Sequence, residues 1–89
     1  DDIIQFELPD KQLRARLYEK KLSVIPVDPV VAYDIFADNS KGFSGADIEQ
    51  VTIRAMKKAL LSKRKRVSKE DIEEAILRQK EIVSVQEKV

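Results

Sequence analysis

The sequence predicts a small all-α protein, a bundle of four helices preceded by a short strand or extended arm. Apolar residues recur at helical spacing in four segments, and each segment opens with residues that favour a helix start. Alternation with the period of a strand is confined to the amino terminus, where Ile4, Phe6 and Leu8 alternate with polar residues. Four helices with short connections favour a bundle.

The composition excludes several kinds of protein. Its 89 residues form one domain with a modest core and no room for a deep cleft besides. The chain contains no cysteine and no histidine, which excludes disulfides, thiolate chemistry and the commonest general base. The net charge of +1 provides no overall attraction to nucleic acid or anionic membranes. No apolar run approaches the roughly 18 residues of a membrane-spanning helix, so we expect no membrane insertion.

The amino-terminal segment, residues 1–9, raises a question of hydrogen bonding. The alternation over residues 3–8 indicates a strand, and a lone strand leaves its backbone donors and acceptors unpaired. Either these residues pack as an extended arm, or their sheet belongs to a part of the protein outside this chain, which we favour. The chain also begins at Asp1 without an initiator methionine, so we expect it to be a piece of a longer protein.

The first two helices are predicted from start signals and apolar spacing. Asp10 is placed to cap a helix over residues 10–22. Its apolar face comprises Leu13, Leu17, Tyr18 and Leu22. Asp28 followed by Pro29 gives the second signal, a cap and then proline at the first helical position. The segment 29–37 is apolar nearly all round, so we expect this helix to be the most buried.

Two matching signals open the third and fourth helices. Ser44 with Asp47, and Ser68 with Asp71, form S-x-x-D capping boxes. The inward face of the third helix comprises Ile48, Val51, Thr52, Ala55 and Ala59, widened by Met56 and Leu60. The inward face of the fourth comprises Ile72, Ala75, Ile76 and Val83. The helical domain is therefore predicted over residues 10–83, with a tail at 84–89.

The start of the third helix is the candidate binding site. Gly42 and Gly45 flank it, so a flat ligand could approach the backbone closely there. The first N–H groups of a helix are unpaired donors. Asp47 disfavours a phosphate because it already places negative charge in the first turn, so a neutral ring edge such as adenine fits better. The simpler alternative, a turn glycine followed by an ordinary cap, remains open on the residues alone.

The same segment resembles a motif of the AAA ATPases. Residues 42–48, Gly-Phe-Ser-Gly-Ala-Asp-Ile, are similar to the G-[FY]-S-G-A-D-[IL] segment that begins a helix in the C-terminal lid of the family's classical branch. Residues 6–10 with Arg14 resemble the last strand of the family's core and the beginning of its lid. Residues 67–71 with Ala75 resemble the V-x-x-E-D-x-x-x-A signature of the last lid helix.

This resemblance, over about residues 3–80, implies an AAA+ lid-type bundle and a role in ATP binding. In such ATPases the lid covers the adenine of ATP or ADP bound by a P-loop core, which also holds the magnesium ion. Gly45 and Ala46 match the family's adenine-contacting pair. Tyr18 stands where many members have a histidine near the base and ribose, so it either stacks near the nucleotide or joins the core. Ala46 also stands where the wider superfamily has an arginine that senses the γ-phosphate, so such sensing is not expected.

The resemblance also implies partners and a division of labour. Residues 1–9 would belong to the nucleotide-binding core, and a hinge near Pro9 would couple nucleotide state to motion in a cytoplasmic homohexamer. The lid would contact its own core and the neighbouring subunits, while the protein substrate or adaptor is not specified. The chain contains no G-x-x-x-x-G-K-[ST] loop, so we do not expect it to hydrolyse ATP by itself. If Val89 is the natural end, docking through a hydrophobic-tyrosine-any terminus, as in proteasome-activating members, is disfavoured.

Two other functions remain open to the residues alone. The basic run at residues 57–66, with the cap signal before the last helix, also resembles the end of a histone fold that binds DNA phosphates. The near balance of 17 basic and 16 acidic residues argues against nucleic acid as the partner. A free-standing helical adaptor would explain four helices, but it would leave the strand unexplained.

Overall fold

A computed structural model describes residues 8–29 and 32–87, which form four helices. They are α1 (Lys11–Leu22), α2 (Tyr33–Asp38), α3 (Gly45–Leu61) and α4 (Lys69–Glu87). The all-α class is therefore confirmed. The strand predicted over residues 3–8 lies, apart from Leu8, outside the described residues. The fourth helix continues to Glu87, beyond position 83, where we placed the end of the helical domain.

The first helix begins where the sequence predicts, but the face that it buries is partly different. Asp10 caps α1, because its Oδ1 accepts a hydrogen bond of 2.9 Å from the Leu13 amide. Tyr18 and Leu22 are fully buried, as predicted. Leu13 was expected on the same face and is instead 45% exposed, while its neighbour Arg14 is buried.

Arg14 is buried because backbone carbonyls surround its guanidinium group. Its Nε donates to the Ala37 carbonyl over 2.9 Å, and one terminal nitrogen donates to the Pro9 carbonyl over 3.0 Å. The Ala37 carbonyl lies at the carboxyl end of α2, where the helix dipole favours a cation. Arg14 thus joins the segment that leads into α1 to the end of the second helix.

The second helix starts later than predicted. It begins at Tyr33 rather than at Pro29, and Ala32 at its N-cap makes no side-chain cap. The backbone N–H of Asp28, the predicted cap, donates to the Val67 carbonyl over 2.9 Å. The backbone of Asp28 is therefore fastened to a distant loop. The helix begins only at Tyr33 because Ala32 before it is extended, with φ of −116° and ψ of 107°.

The prediction that the second helix is the most buried is wrong for the described residues. Phe36 and Ala37 are the buried residues of α2, whereas Ile35 is 47% exposed. The third helix buries more, since five residues of its predicted face are buried: Ile48, Val51, Thr52, Ala55 and Ala59. The reason is position, because α3 packs between α1 and α4 and a short helix at the edge covers one side of the core.

The remaining apolar predictions are mostly confirmed. Ile72, Ala75 and Ile76 of α4 are buried, and Val83 and Met56 pack against the core from its edge. Leu60 is an exception, with 66% of its surface exposed. It follows the inward-facing Ala59 by one residue, which turns it about 100° around the helix. Within the described residues, no helix combines the length and apolarity needed to cross a lipid bilayer.

A short backbone contact joins the two loops at one end of the bundle. Val27 and Val67 form an isolated parallel β-bridge. The Val67 amide donates to the Pro26 carbonyl over 3.0 Å, and the Asp28 amide donates back to the Val67 carbonyl. The connection between α1 and α2 is thereby fastened to the connection between α3 and α4, a contact that no local pattern in the sequence indicates.

Candidate functional site

The turn that leads into α3 has a conformation that requires glycine. Gly42 has φ of 87°, in the left-handed region that side chains disfavour. The next residue, Phe43, donates its amide to the Ser40 carbonyl over 3.0 Å and buries its side chain in the core. The turn is therefore anchored immediately before the helix begins.

The predicted capping box at the start of α3 is confirmed. The Asp47 amide donates to Ser44 Oγ over 3.1 Å, and Asp47 Oδ2 accepts from the Ser44 amide over 2.9 Å. The Ser44 hydroxyl also donates to the same carboxylate oxygen over 3.0 Å. The box thus satisfies the third helical amide and the amide of the cap itself, and it does not use the two amides between them.

Those two amides belong to Gly45 and Ala46, the residues matched to adenine contact. Both residues are exposed, and their N–H groups have no hydrogen-bond partner among residues 8–29 and 32–87. A Cβ added to Gly45 would meet nothing within 4 Å. The surface can therefore accept a flat group against the backbone. Two neutral donors beside a carboxylate fit the ring nitrogens of a purine better than they fit a phosphate.

Tyr18 lies beneath this turn and not on its surface. The side chain is fully buried, and its ring contacts Phe36 edge to face with the centroids 6.1 Å apart. Its hydroxyl is 2.6 Å from Ser40 Oγ. Since the Ser40 hydroxyl donates to the Phe36 carbonyl, Tyr18 is the donor to Ser40. Burial raises the pKa of Tyr18 to about 12. Of the two roles left open for Tyr18, the structure places its ring in the core.

A buried amide on α4, which is not among the predicted site residues, also reaches the capping box. Gln79 Nε2 donates to Asp47 Oδ1 over 2.8 Å, and Gln79 Oε1 accepts from Arg54 over 2.6 Å. The signal was present in the spacing, because Gln79 follows the inward-facing residues Ala75 and Ile76 by four and three positions. A polar residue on the inward face of a helix indicates a buried partner.

Part of the basic run is engaged within the fold. Arg64 makes a two-pronged ion pair with Asp71, with N–O distances of 2.6 and 2.7 Å. The pKa of Asp71 is lowered, mainly by its hydrogen bonds from Arg64. Lys58 pairs with Glu74 across the two helices. These pairs neutralise cations that the DNA-binding alternative requires.

Comparison with known proteins agrees with the motifs. The family model for the AAA+ lid domain matches residues 31–74, from the approach to α2 into the first turns of α4. The match includes the whole candidate surface at the start of α3. It gives the DNA-binding alternative no support.

Several archaeal ATPases are similar to most of the chain. A protein named as a 26S proteasome regulatory subunit homologue of Methanocaldococcus jannaschii is 34% identical over 77 residues, 85% of this chain and 21% of the relative. The proteasome-activating nucleotidase of Saccharolobus islandicus is 33% identical over 76 residues, 85% of this chain and 19% of the relative. A homologue in Methanothermobacter marburgensis is 35% identical over 77 residues, with shares of 85% and 21%.

The chain thus spans about a fifth of the length of the relatives that it matches. The matched residues carry α2, α3 and the beginning of α4, with the capping boxes that the motifs predicted. The chain belongs to the AAA+ lid domain family, and its helical bundle is the lid of an AAA ATPase.

Proposed function

We propose that this lid covers the adenine of ATP or ADP held by a P-loop core, and that it couples nucleotide state to subunit motion in a ring. One observation carries the proposal: two adjacent free amides, at Gly45 and Ala46, lie exposed at a helix start that a capping box holds in place. Bound ATP, with a magnesium ion held by the core, supplies the phosphoryl chemistry. The lid residues bind and orient the base.

The contact follows from the local geometry. Purine ring nitrogens accept hydrogen bonds, and the two amides of Gly45 and Ala46 donate them. The missing side chain of Gly45 and the short one of Ala46 let the ring plane approach the backbone. Tyr18 contributes from below, because its hydroxyl holds Ser40 and thereby the turn that precedes the helix.

Motion enters the lid at its amino-terminal end. Arg14 fastens the Pro9 carbonyl to the end of α2, so a rotation of the chain about a hinge near Pro9 turns the whole bundle. The partners of the lid are then its own nucleotide-binding core and the neighbouring subunits of a cytoplasmic homohexamer. The names of the relatives support a link to the proteasome for the parent ATPase, with a protein substrate or adaptor that other domains select.

A bulky side chain at position 45 tests the base contact. In the ATPase that carries this lid, we expect Gly45→Leu to weaken binding of a fluorescent ADP analogue at least tenfold. The lid itself should stay folded, because a side chain at position 45 starts into open space among the described residues. Gln50→Leu, at an exposed position of the same helix, is the matched control and should leave affinity unchanged. Equal affinity of the Gly45→Leu variant and the wild type would overturn the proposal.

A further inference from the structure

Gln79 holds the start of α3 from the neighbouring helix. The residue is only 4% exposed, and both ends of its side-chain amide are engaged, with Asp47 on one side and Arg54 on the other. A carboxylate only accepts hydrogen bonds and a guanidinium only donates them. These two partners therefore fix the orientation of the amide, with its nitrogen toward Asp47 and its oxygen toward Arg54.

The hydrogen bond from Gln79 engages the second carboxylate oxygen of Asp47. Oδ2 accepts from the amide and hydroxyl of Ser44, while Oδ1 accepts from Gln79. A first-turn carboxylate can otherwise turn toward the free amides at its own helix start. With both oxygens engaged, Asp47 leaves the amides of Gly45 and Ala46 available.

We propose that Gln79 is a positioning residue for the nucleotide base: through Asp47 it keeps the Gly45 and Ala46 amides free and fixed in direction. The inference rests on the proposed function and adds α4 to the base-binding site. Gln79 touches the base through no atom of its own.

The chemistry of position 79 is demanding. Glutamate there would place a second carboxylate beside Asp47, and leucine or methionine would leave both Asp47 Oδ1 and the Arg54 guanidinium without this partner. Within the described part of the chain, every buried side-chain nitrogen and oxygen has a hydrogen-bond partner. Glutamine satisfies both neighbours with one planar group.

The test measures nucleotide affinity in the full ATPase with the fluorescent ADP analogue. We expect Gln79→Met, which preserves length and apolar volume, to weaken affinity about fivefold to tenfold and to raise the KM for ATP with little change in kcat. Thr52→Val is the matched control. Thr52 is also buried, but its hydroxyl donates to the Glu49 carbonyl in its own helix, so this variant should lose stability without losing affinity.

A double-mutant cycle tests whether the effect passes through Asp47. In an Asp47→Ala background, Gln79→Met should cause no further loss of affinity. Independent, additive losses would overturn the inference. If Gln79→Met does not fold, nuclear magnetic resonance of the wild type replaces it: ADP should shift the side-chain amide signal of Gln79 and not that of exposed Gln50. An unmoved Gln79 signal would overturn the inference.

The two proposals fail in different ways. If Gly45→Leu weakens ADP binding and Gln79→Met does not, the lid contacts the base and Gln79 is not its positioning residue. If neither variant weakens binding, the base contact itself is wrong and the role of Gln79 falls with it.

Discussion

The third and fourth helices begin with the same four-residue pattern, S-x-x-D, but residues of different chemistry hold the aspartates of the two capping boxes. At the start of α3, Asp47 is held by the neutral amide of Gln79. At the start of α4, Asp71 is held by the charged fork of Arg64. One box is thus completed by an amide and the other by an ion pair.

The difference shows how a common local motif acquires separate roles. In both places the serine and aspartate fix the helix start, as the sequence alone requires. The ion pair fastens Asp71, near the start of α4, to Arg64 in the loop that precedes this helix. The side-chain amide of Gln79 instead joins α4 to α3 and leaves the backbone amides of Gly45 and Ala46 exposed. The residue that holds the aspartate therefore determines which role each helix start can have. The contacts at the start of α3 and at the start of α4 should also lose their contribution to stability at different pH.

The largest effect on the free energy of unfolding is expected in alkali, at Tyr18 beneath the turn that precedes α3. Tyr18 has its pKa raised from 10.0 to about 12 by burial, so its neutral form is favoured in the fold. This contribution is fully present below pH 10 and is lost as the pH rises toward 12, because the unfolded chain ionises first. Tyr18→Phe should remove the alkaline loss of about 2–3 kcal/mol, measured by urea unfolding between roughly pH 9 and 12. A variant that keeps the wild-type slope would contradict this assignment.

Acid should weaken the capping box at the start of α4. The pKa of Asp71 is lowered, so its contribution is present above the usual carboxylate value of 3.8 and is lost as the pH falls through the folded pKa. At neutral pH, Asp71→Asn should lower the free energy of unfolding by about 1–2 kcal/mol, because a charged cap is removed. The variant should also lose part of the acid dependence seen in thermal melts. Arg64→Gln should flatten the same acid dependence; a wild-type profile in that variant would show that the ion pair does not cause it.

The two serines should separate stability from nucleotide binding. Ser44→Ala and Ser68→Ala each remove an N-cap and should each cost about 1 kcal/mol in urea unfolding. Only Ser44→Ala should weaken binding of the fluorescent ADP analogue to the full ATPase, because that serine orients the exposed amides. Equal losses of affinity in both variants would mean that general destabilisation, and not the base contact, sets the affinity.

The smallest effect has the opposite sign. Gly45→Ala should raise the free energy of unfolding of the isolated chain by a few tenths to about 0.5 kcal/mol, since alanine favours helix and its Cβ has open space. Gly42→Ala should lower it, because φ there is 87°. Thermal melts of the two variants should therefore shift in opposite directions. A stabilised Gly42→Ala variant would contradict the requirement for glycine in this turn.

The sequence was informative wherever the determining contacts are local. Both capping boxes, and the buried face of α3 apart from Leu60, depend on residues of one short stretch of chain, and they are confirmed. The pair Gly45 and Ala46 was found by resemblance; the structure shows its exposure, and the nucleotide contact stays a prediction. Tyr18 could not be assigned from sequence, because a tyrosine at core spacing fits either role.

The failures have long-range causes. The buried side chain of Arg14 donates to a carbonyl 23 residues away, and that of Gln79 donates to a carboxylate 32 residues away. No periodicity in one helix encodes such partners. The pairing of the Asp28 backbone with Val67 in the other loop was not predicted for the same reason.

The bridge between Val27 and Val67 also bears on how the lid carries a load. Two helical hairpins held together by packed side chains alone can splay when one of them is pulled. Backbone hydrogen bonds between the two loops resist such a separation. They also connect α1 to α4 at this end of the bundle, so a force applied to α1 can be transmitted to α4. If the lid rotates as proposed above, these bonds would make it turn as one stiff body, with little bending within the bundle.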